Sequence, residues 1–431
     1  TLGRCGGTVS LASGATQSGF GRTGTVDWQT GSIKTAGFTP TNGEGYFCDT
    51  SAGAFAVTLP AGVAGNIVAF ADYTRSFGTY ILTITPNGSE KMGGVSQSAE
   101  LSVDGQSATF VYVDGTEGWI NVQETQTSVA GVPPYIGATG GCITYSGNFK
   151  IHTFNAPGDF NVTRVATQAP TPEHNTVSYL VVGSGGGAGS FPLGGGGGAG
   201  GFREGKNSPI CSYTASPLEA PAGGIPVSAS PYPITVGGGG AGGSPGPLDN
   251  GVIGNNSTFG PITSNGGGYG AGANSTPGGA GASGGGGQGN CAATTGGAGN
   301  TPPTSPAQGF VGGAARTVPG CRGGGGGGGA TQAGQNGSPP YTGGPGGAGA
   351  TTEITASPVA YAGGGGGAGQ GCAPARGGAG GAGGGGAAQD SSNPTADSGT
   401  DNTGGGGGGG AWTSVGGSGG SGVVIIRYRY Q

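Results

Sequence analysis

Unbroken glycine runs constrain this chain more than any other feature. Seven glycines stand at Gly323–Gly329, seven at Gly404–Gly410, and five each at Gly194–Gly198 and Gly363–Gly367. Such a run has no side chains to bury, and ordering it costs more conformational entropy than ordering any other residue. Of the 114 glycines in the 431 residues, 87 fall between positions 183 and 422. With 29 prolines, the composition is one that normally signals collagen, low complexity or disorder. No strict Gly-X-Y register is kept, which argues against a collagen triple helix. The regular conformation left to packed glycine runs is the extended helix of three residues per turn, polyglycine II. Without Cβ atoms such helices approach closely enough for each N–H to reach a neighbour's C=O, with Cα–H···O contacts adding to it. Low charge (8% Asp, Glu, Lys and Arg) fits, because long charged side chains would hold the helices apart.

Outside the glycine-rich part the pattern is β. Residues 1–128 read as a small sandwich or barrel. Ala54–Leu59 alternates, Asn66–Phe70 is a short apolar run, and Tyr80–Thr85 is rich in β-branched residues. Thr109–Val113 and Gly118–Val122 follow, separated by Asp114-Gly115, a strong hairpin signal. Residues 129–141 read as a linker and 142–431 as a second, glycine-rich domain. Phe149–Phe154, Asp159–Thr163 and Ser178–Val182 are strands. The terminal Val423–Tyr430 is the most strand-like segment present, and it is expected to return and pair near Val177–Val182. Residues 142–182 and 423–431 would then be a β base, and 183–422 a polyglycine-II insertion hung from it. Helical periodicity is absent throughout. The expected fold is all-β with bundled glycine helices and essentially no α-helix.

Several function classes are disfavoured. The net charge of −5 and scattered basic residues give no footprint for nucleic acid and no polybasic membrane patch. No apolar run approaches the length of a membrane span. The seven cysteines (Cys5, Cys48, Cys142, Cys211, Cys291, Cys321, Cys372) show no CxxC or Cys/His cluster, so neither a zinc site nor any other cofactor is expected. Ser283 and Ser418 sit in G-x-S-x-G matches but lack the strand, helix and base that a nucleophile elbow needs. Gly200–Lys206 approximates a P-loop, yet Asn207 stands where Ser or Thr should be. Asp390, Asp397 and Asp401 read as a solvated loop in preference to a calcium site. No enzyme is indicated.

Thr25–Thr30, Asn42–Phe47, Phe55–Pro60 and Val111–Trp119 resemble the β module of fibre proteins of marine T-even-like phages, those of cyanophages and pelagiphages. Phe149–Phe154, Tyr179–Val182 and Ser418–Tyr428 resemble the glycine-rich domain at the C-terminus of such proteins. The resemblance implies bundled polyglycine-II helices whose loops bind host surface molecules. It also implies a homotrimer and a place on the virion surface, outside the cell, beside other fibre proteins. The expected function is therefore a tail-fibre or tail-tip adhesin that attaches to a host surface glycan or outer-membrane protein. The alternative is a structural virion or surface-filament protein without receptor binding. Single aromatics and arginines between glycine runs are the natural contacts, since loops on a rigid scaffold are where recognition is usually placed. The candidate receptor-binding residues are Tyr213, Tyr269, Arg322, Tyr341, Arg376 and Trp412.

Overall fold

The computed structural model describes residues 26–124, 135–166, 172–245, 249–272, 276–289, 294–318, 321–338, 342–370, 376–390 and 395–431. The chain divides into two compact units, Thr1–Pro134 and Tyr135–Gln431. Among the described residues the elements are strands apart from one 3-10 turn at Pro172–Asn175. Among the described residues no helix is long and apolar enough to cross a membrane.

The first unit contains β1 (Asp27–Lys34), β2 (Glu44–Cys48), β3 (Phe55–Thr58), β4 (Ile67–Asp72), β5 (Leu82–Thr85), β6 (Ala99–Leu101), β7 (Ser107–Asp114) and β8 (Gly118–Glu124). They form two sheets, β1-β2-β4-β7-β8 and β3-β5-β6. The chain alternates between sheets, so that β2 and β4 pair in parallel in one while β3 and β5 pair in parallel in the other. Alternation places Val57, Leu82 and Ile84 in the core, where Phe70, Phe77, Phe110 and Trp119 are fully buried. The Asp114-Gly115 turn joins β7 and β8 as an antiparallel pair. Asp114 Oδ1 accepts the N–H groups of Thr116 and Glu117, each at 2.8 Å, so the side chain itself closes the turn.

The second unit begins with β9 (Gly137–Thr139), β10 (Cys142–Ser146), β11 (Phe149–Phe154), β12 (Gly158–Arg164), β13 (Thr176–Val182) and β14 (Phe202–Gly205). It continues with β15 (Ile225–Pro226), β16 (Pro231–Thr235), β17 (Ser257–Phe259) and β18 (Ile262–Ser264). Short ribbons follow, β19 (Arg316–Val318), β20 (Cys321–Gly323), β21 (Ala350–Thr352), β22 (Val359–Tyr361) and β23 (Gly369–Gln370), and then the terminal β24 (Val423–Arg429). The sheet β10-β11-β24-β13-β14 faces the sheet β18-β17-β16-β12-β9. Between them lie Phe154, Phe160, Tyr179, Phe259, Ile426 and Tyr428. On the other face of the first sheet, Leu180, Val182, Phe202 and Ile425 pack against Tyr213, Ile354 and Tyr361. β24 is thus covered on both sides, the reason it reads as an unbroken apolar run. It pairs antiparallel with β13, Val182 opposite Val423. Residues 137–139, assigned to a linker from composition, instead form β9 against β12, because Ile136 and Ala138 are buried in the sandwich core.

Among the polar side chains buried in this base are His152 and Arg427. His152 Nδ1 lies 2.6 Å from Gly140 O, and Nε2 lies 3.1 Å from the Tyr428 hydroxyl. A carbonyl only accepts, so Nδ1 carries the proton and Nε2 accepts from Tyr428. Burial pushes the His152 pKa down to about 4. Arg427 stacks between Phe149 and Tyr213, 4.7 and 5.2 Å from the ring centroids, and donates from Nη1 to Ile354 O at 3.1 Å.

From Gly183 onward the hydrogen bonds change character. Successive N–H groups of residues 183–189 donate to residues 201, 255, 420, 198, 252, 417 and 195, at 2.9–3.1 Å. The acceptors rotate among three neighbouring segments and step down each by three, which is the signature of three residues per turn. The run 194–201 is enclosed. It donates to segments 404–410, 265–271 and 325–328, and accepts from 183–189, 283–286 and 365–368. Adjacent members of that ring of six also bond one another, as in Gly407→Gly186, Gly268→Ser283, Gly328→Gly284, Gly327→Gly365 and Gly406→Gly363. This is a hexagonal bundle of polyglycine-II helices.

The sheet templates the bundle. β13 runs directly into 183–189, β14 directly follows 194–201, and β24 directly follows 416–422. The sheet order β24-β13-β14 is the order of those three helices, which bond through Gly185→Gly420 and Gly186→Gly198. Interstrand spacing of about 4.8 Å delivers the helices already at bonding distance.

None of the glycines in 185–189 or 194–201 occupies the left-handed φ region, so torsional freedom is not why they are glycine. Space is. A Cβ on Gly197 would lie 2.0 Å from Gly186 O, and one on Gly406 2.0 Å from Gly197 O. Gly238, on the outer surface, would place its Cβ no nearer than 3.9 Å to anything.

Gly197→Ala is expected to cost at least about 2 kcal/mol of stability, whereas Gly238→Ala changes it by less than about 0.5 or raises it slightly. Denaturant titration of both variants checks this, and equal effects would contradict the packing account. His152 supplies a second test. Its folded pKa lies below the unfolded value near 6.5, so stability is intact above that pH. As pH falls from about 6.5 to about 4, protons bind the unfolded chain first and roughly 3 kcal/mol is lost. Replacing His152 with Gln should flatten that part of the stability–pH profile.

Candidate functional site

The bundle has a base end and a far end. Gly200 and Gly404 pair near the base, and Gly194 and Gly410 pair at the far end, where the chain reverses at 190–194 and 410–416. These two reversals interlock. Leu193 and Ala411 form a β-bridge, Ser190 Oγ donates to Ser414 O at 2.6 Å, and Ala411 N–H donates to Gln389 Oε1 at 2.7 Å. Leu193, Ala368 and Ala411 make a small apolar cluster beneath.

Trp412 crowns this knot and is 43% exposed. Its φ of +48° is an uncommon conformation for a bulky residue and costs on the order of 1 kcal/mol. It is held there by its N–H bond to Pro192 O at 3.0 Å and by an edge-to-face contact with Phe191, centroids 5.5 Å apart. The surroundings therefore fix an exposed indole instead of letting it collapse. Val415, three residues on in the same reversal, is 55% exposed.

Arginines occupy the same end. Arg322 lies in β20, half-buried, opposite Thr317 and Gln370. Arg376 is exposed, its carbonyl accepting the Gly343 N–H at 2.9 Å. β20 reaches the far end because Gly324 follows it and abuts Gly194. Arg316, also exposed, belongs to this group and was not singled out from sequence. Its signal would have been the turn dipeptide Pro-Gly at 319–320, flanked by Arg316 and Arg322 in the sequence. Asp390 is nearby, its Oδ2 accepting the Gly377 N–H at 3.2 Å.

The remaining candidates separate. Tyr341 lies outside the described residues. Tyr269 is half-buried on the bundle's flank, with its ring filling the space where a Gly279 side chain would stand. Tyr213 is not at a surface. It is 6% exposed within the base core, its ring against the Arg427 guanidinium and 5.2 Å from it, and burial raises its pKa. The sequence placed it between polar turn residues, but the β21–β22 region folds over it and it cannot meet a receptor.

Among the described residues no group of three or more His, Cys, Asp or Glu side chains could hold a metal ion. Asp390 and Asp401 instead accept backbone N–H groups, the latter from Ser421 at 3.1 Å.

A family model described as a glycine-rich domain matches residues 160–429, and the chain belongs to that family. The match starts within β12 and ends at the last residue of β24, so the family unit includes base strands as well as helices. A search of curated proteins finds no match.

Burial separates the two aromatic candidates. Tyr213→Ala should cost about 3–5 kcal/mol of stability, and Trp412→Ala less than about 1. Chemical denaturation of the two variants reads the difference.

Proposed function

We propose that this chain is a virion-borne adhesin of a phage tail fibre or tail tip, acting without catalysis. In this reading it attaches to a host surface glycan or outer-membrane protein through the far end of the bundle. The observation that carries the reading is the exposed Trp412, fixed in a costly backbone conformation at the same end of the bundle as the exposed Arg316 and Arg376. Strained residues persist where surrounding structure over-determines them, and they cluster at ligand sites. An indole offers large contact area for little conformational entropy, and guanidinium groups add planar, charge-assisted hydrogen bonds. Resemblance to marine phage fibres agrees with this placement. A homotrimer beside other fibre proteins would present three such ends, turning weak single contacts into durable attachment.

The test is retention of labelled protein on whole cells of candidate marine bacterial hosts. Replacing Trp412, Arg316 and Arg376 together with Ala should reduce cell-bound protein about tenfold or more, with the melting temperature preserved. Undiminished binding by that variant would remove the far end as the contact surface. Light scattering on the purified protein should give three times the chain mass.

A further inference from the structure

The base of the second unit holds a cleft of about 530 Å³ that the attachment reading leaves unused. It is lined by Thr176, Lys206, Asn207, Ser208, Glu219 and Pro226, with the loop 220–224 along one side. That volume lies within the range of small-molecule sites.

The cleft is built by well-fixed elements. Lys206 follows β14 directly, and the loop is tied to that strand by the Ala220 N–H, which donates to Glu204 O at 2.8 Å. Gly223, at φ +71°, makes the turn, its N–H donating to Ala220 O at 2.9 Å. The close approach of this loop needs glycine: a Cβ on Gly205 would lie 2.2 Å from Gly223 O. Asn207, 4% exposed, donates from Nδ2 to Thr176 O at 2.7 Å and pins the floor.

One cation and one anion line this space. The Lys206 ammonium sits 5.4 Å from the ring centroid of Tyr213. Tyr213 is immobilised in the core, so the aromatic face is a fixed seat for that charge. Glu219 lines the cleft from the residue just before the 220–224 loop. Neither charge is engaged in an ion pair or a side-chain hydrogen bond with another described residue. Around them are hydroxyl and amide side chains, alanines, prolines and glycine backbone, with no further charged side chain among the lining residues.

A ligand bearing only one charge would meet one of these two side chains and leave the other charge partly desolvated without a partner, which is costly. A molecule carrying an ammonium and a carboxylate satisfies both. We propose that this cleft binds a short zwitterionic peptide, its carboxylate on Lys206 and its terminal ammonium on Glu219. The buried Tyr213 is then a positioning residue for Lys206, with no contact to the ligand.

The test is calorimetric titration of the full chain with triglycine, N-acetyl-triglycine and triglycine amide, each to about 20 mM. Triglycine should bind with a Kd in the millimolar range, and each capped peptide at least about tenfold more weakly. Lys206→Gln should weaken triglycine and abolish the penalty for the amide, while Glu219→Gln should abolish the penalty for acetylation. No binding of triglycine to the unaltered chain, or equal binding of all three peptides, would overturn the proposal. Both of those outcomes are read on the natural protein, so a variant that misfolds alters neither. Neither depends on whether the protein adheres to cells.

Discussion

One contact governs the second unit: an amide N–H of one glycine helix meeting the carbonyl of the next at about 2.9 Å, across a gap in which a Cβ would not fit. Buried backbone polar groups must be paired. In most folds that requirement is met inside helices and sheets while side chains hold those elements together. Here the two tasks merge. The bonds that satisfy the backbone are the bonds that hold neighbouring helices, and the enclosed run 194–201 has partners on six sides. Conventional apolar packing is confined to the β base and to small clusters such as Leu193, Ala368 and Ala411.

This division explains the role of the base. Glycine helices carry no side-chain pattern to tell one neighbour from another, so something else must set their register. The sheet does it. Three adjacent strands continue into three adjacent helices, and the buried β24 is fixed by pairing on both edges and by apolar cover on both faces. Arg427 extends that hold by bonding the loop beyond β21, and His152 does so by joining Gly140 to Tyr428.

What the sequence disclosed follows the same split. β-branched runs and Asp-Gly turns mark strands through local preferences, so β3, β4, β5, β7 and β8 of the first unit and β11, β12, β13 and β24 of the base were legible, whereas β14 to β18, short and set inside the stretch read as the glycine insertion, were not. Glycine runs without a collagen register pointed to three-residue helices by elimination. Which helix touches which was not legible, because the partners of Gly186, Gly187 and Ala188 lie 12, 65 and 229 residues away and nothing on the chain encodes the pairing. The parallel β2–β4 and β3–β5 pairs escaped for a similar reason, since their register depends on packing across two sheets. Tyr213 and Trp412 looked alike as lone aromatics in polar surroundings. Their difference is tertiary: one is covered by the β21–β22 region beside Arg427, and the other is thrust outward by the interlocked reversals.

The rotation of hydrogen-bond partners in threes carries a consequence for how such a chain can diverge. Inserting a single residue within a helix would turn every later donor by one third of a revolution, away from its acceptor and toward the wrong neighbour. Adding three restores the angle and merely lengthens the rod. Length changes inside these segments should therefore be inherited in triplets of residues, while the reversals at the ends accept any number. The lattice thus behaves as a ratchet on sequence drift, stiff along its shafts and permissive where it meets the outside world.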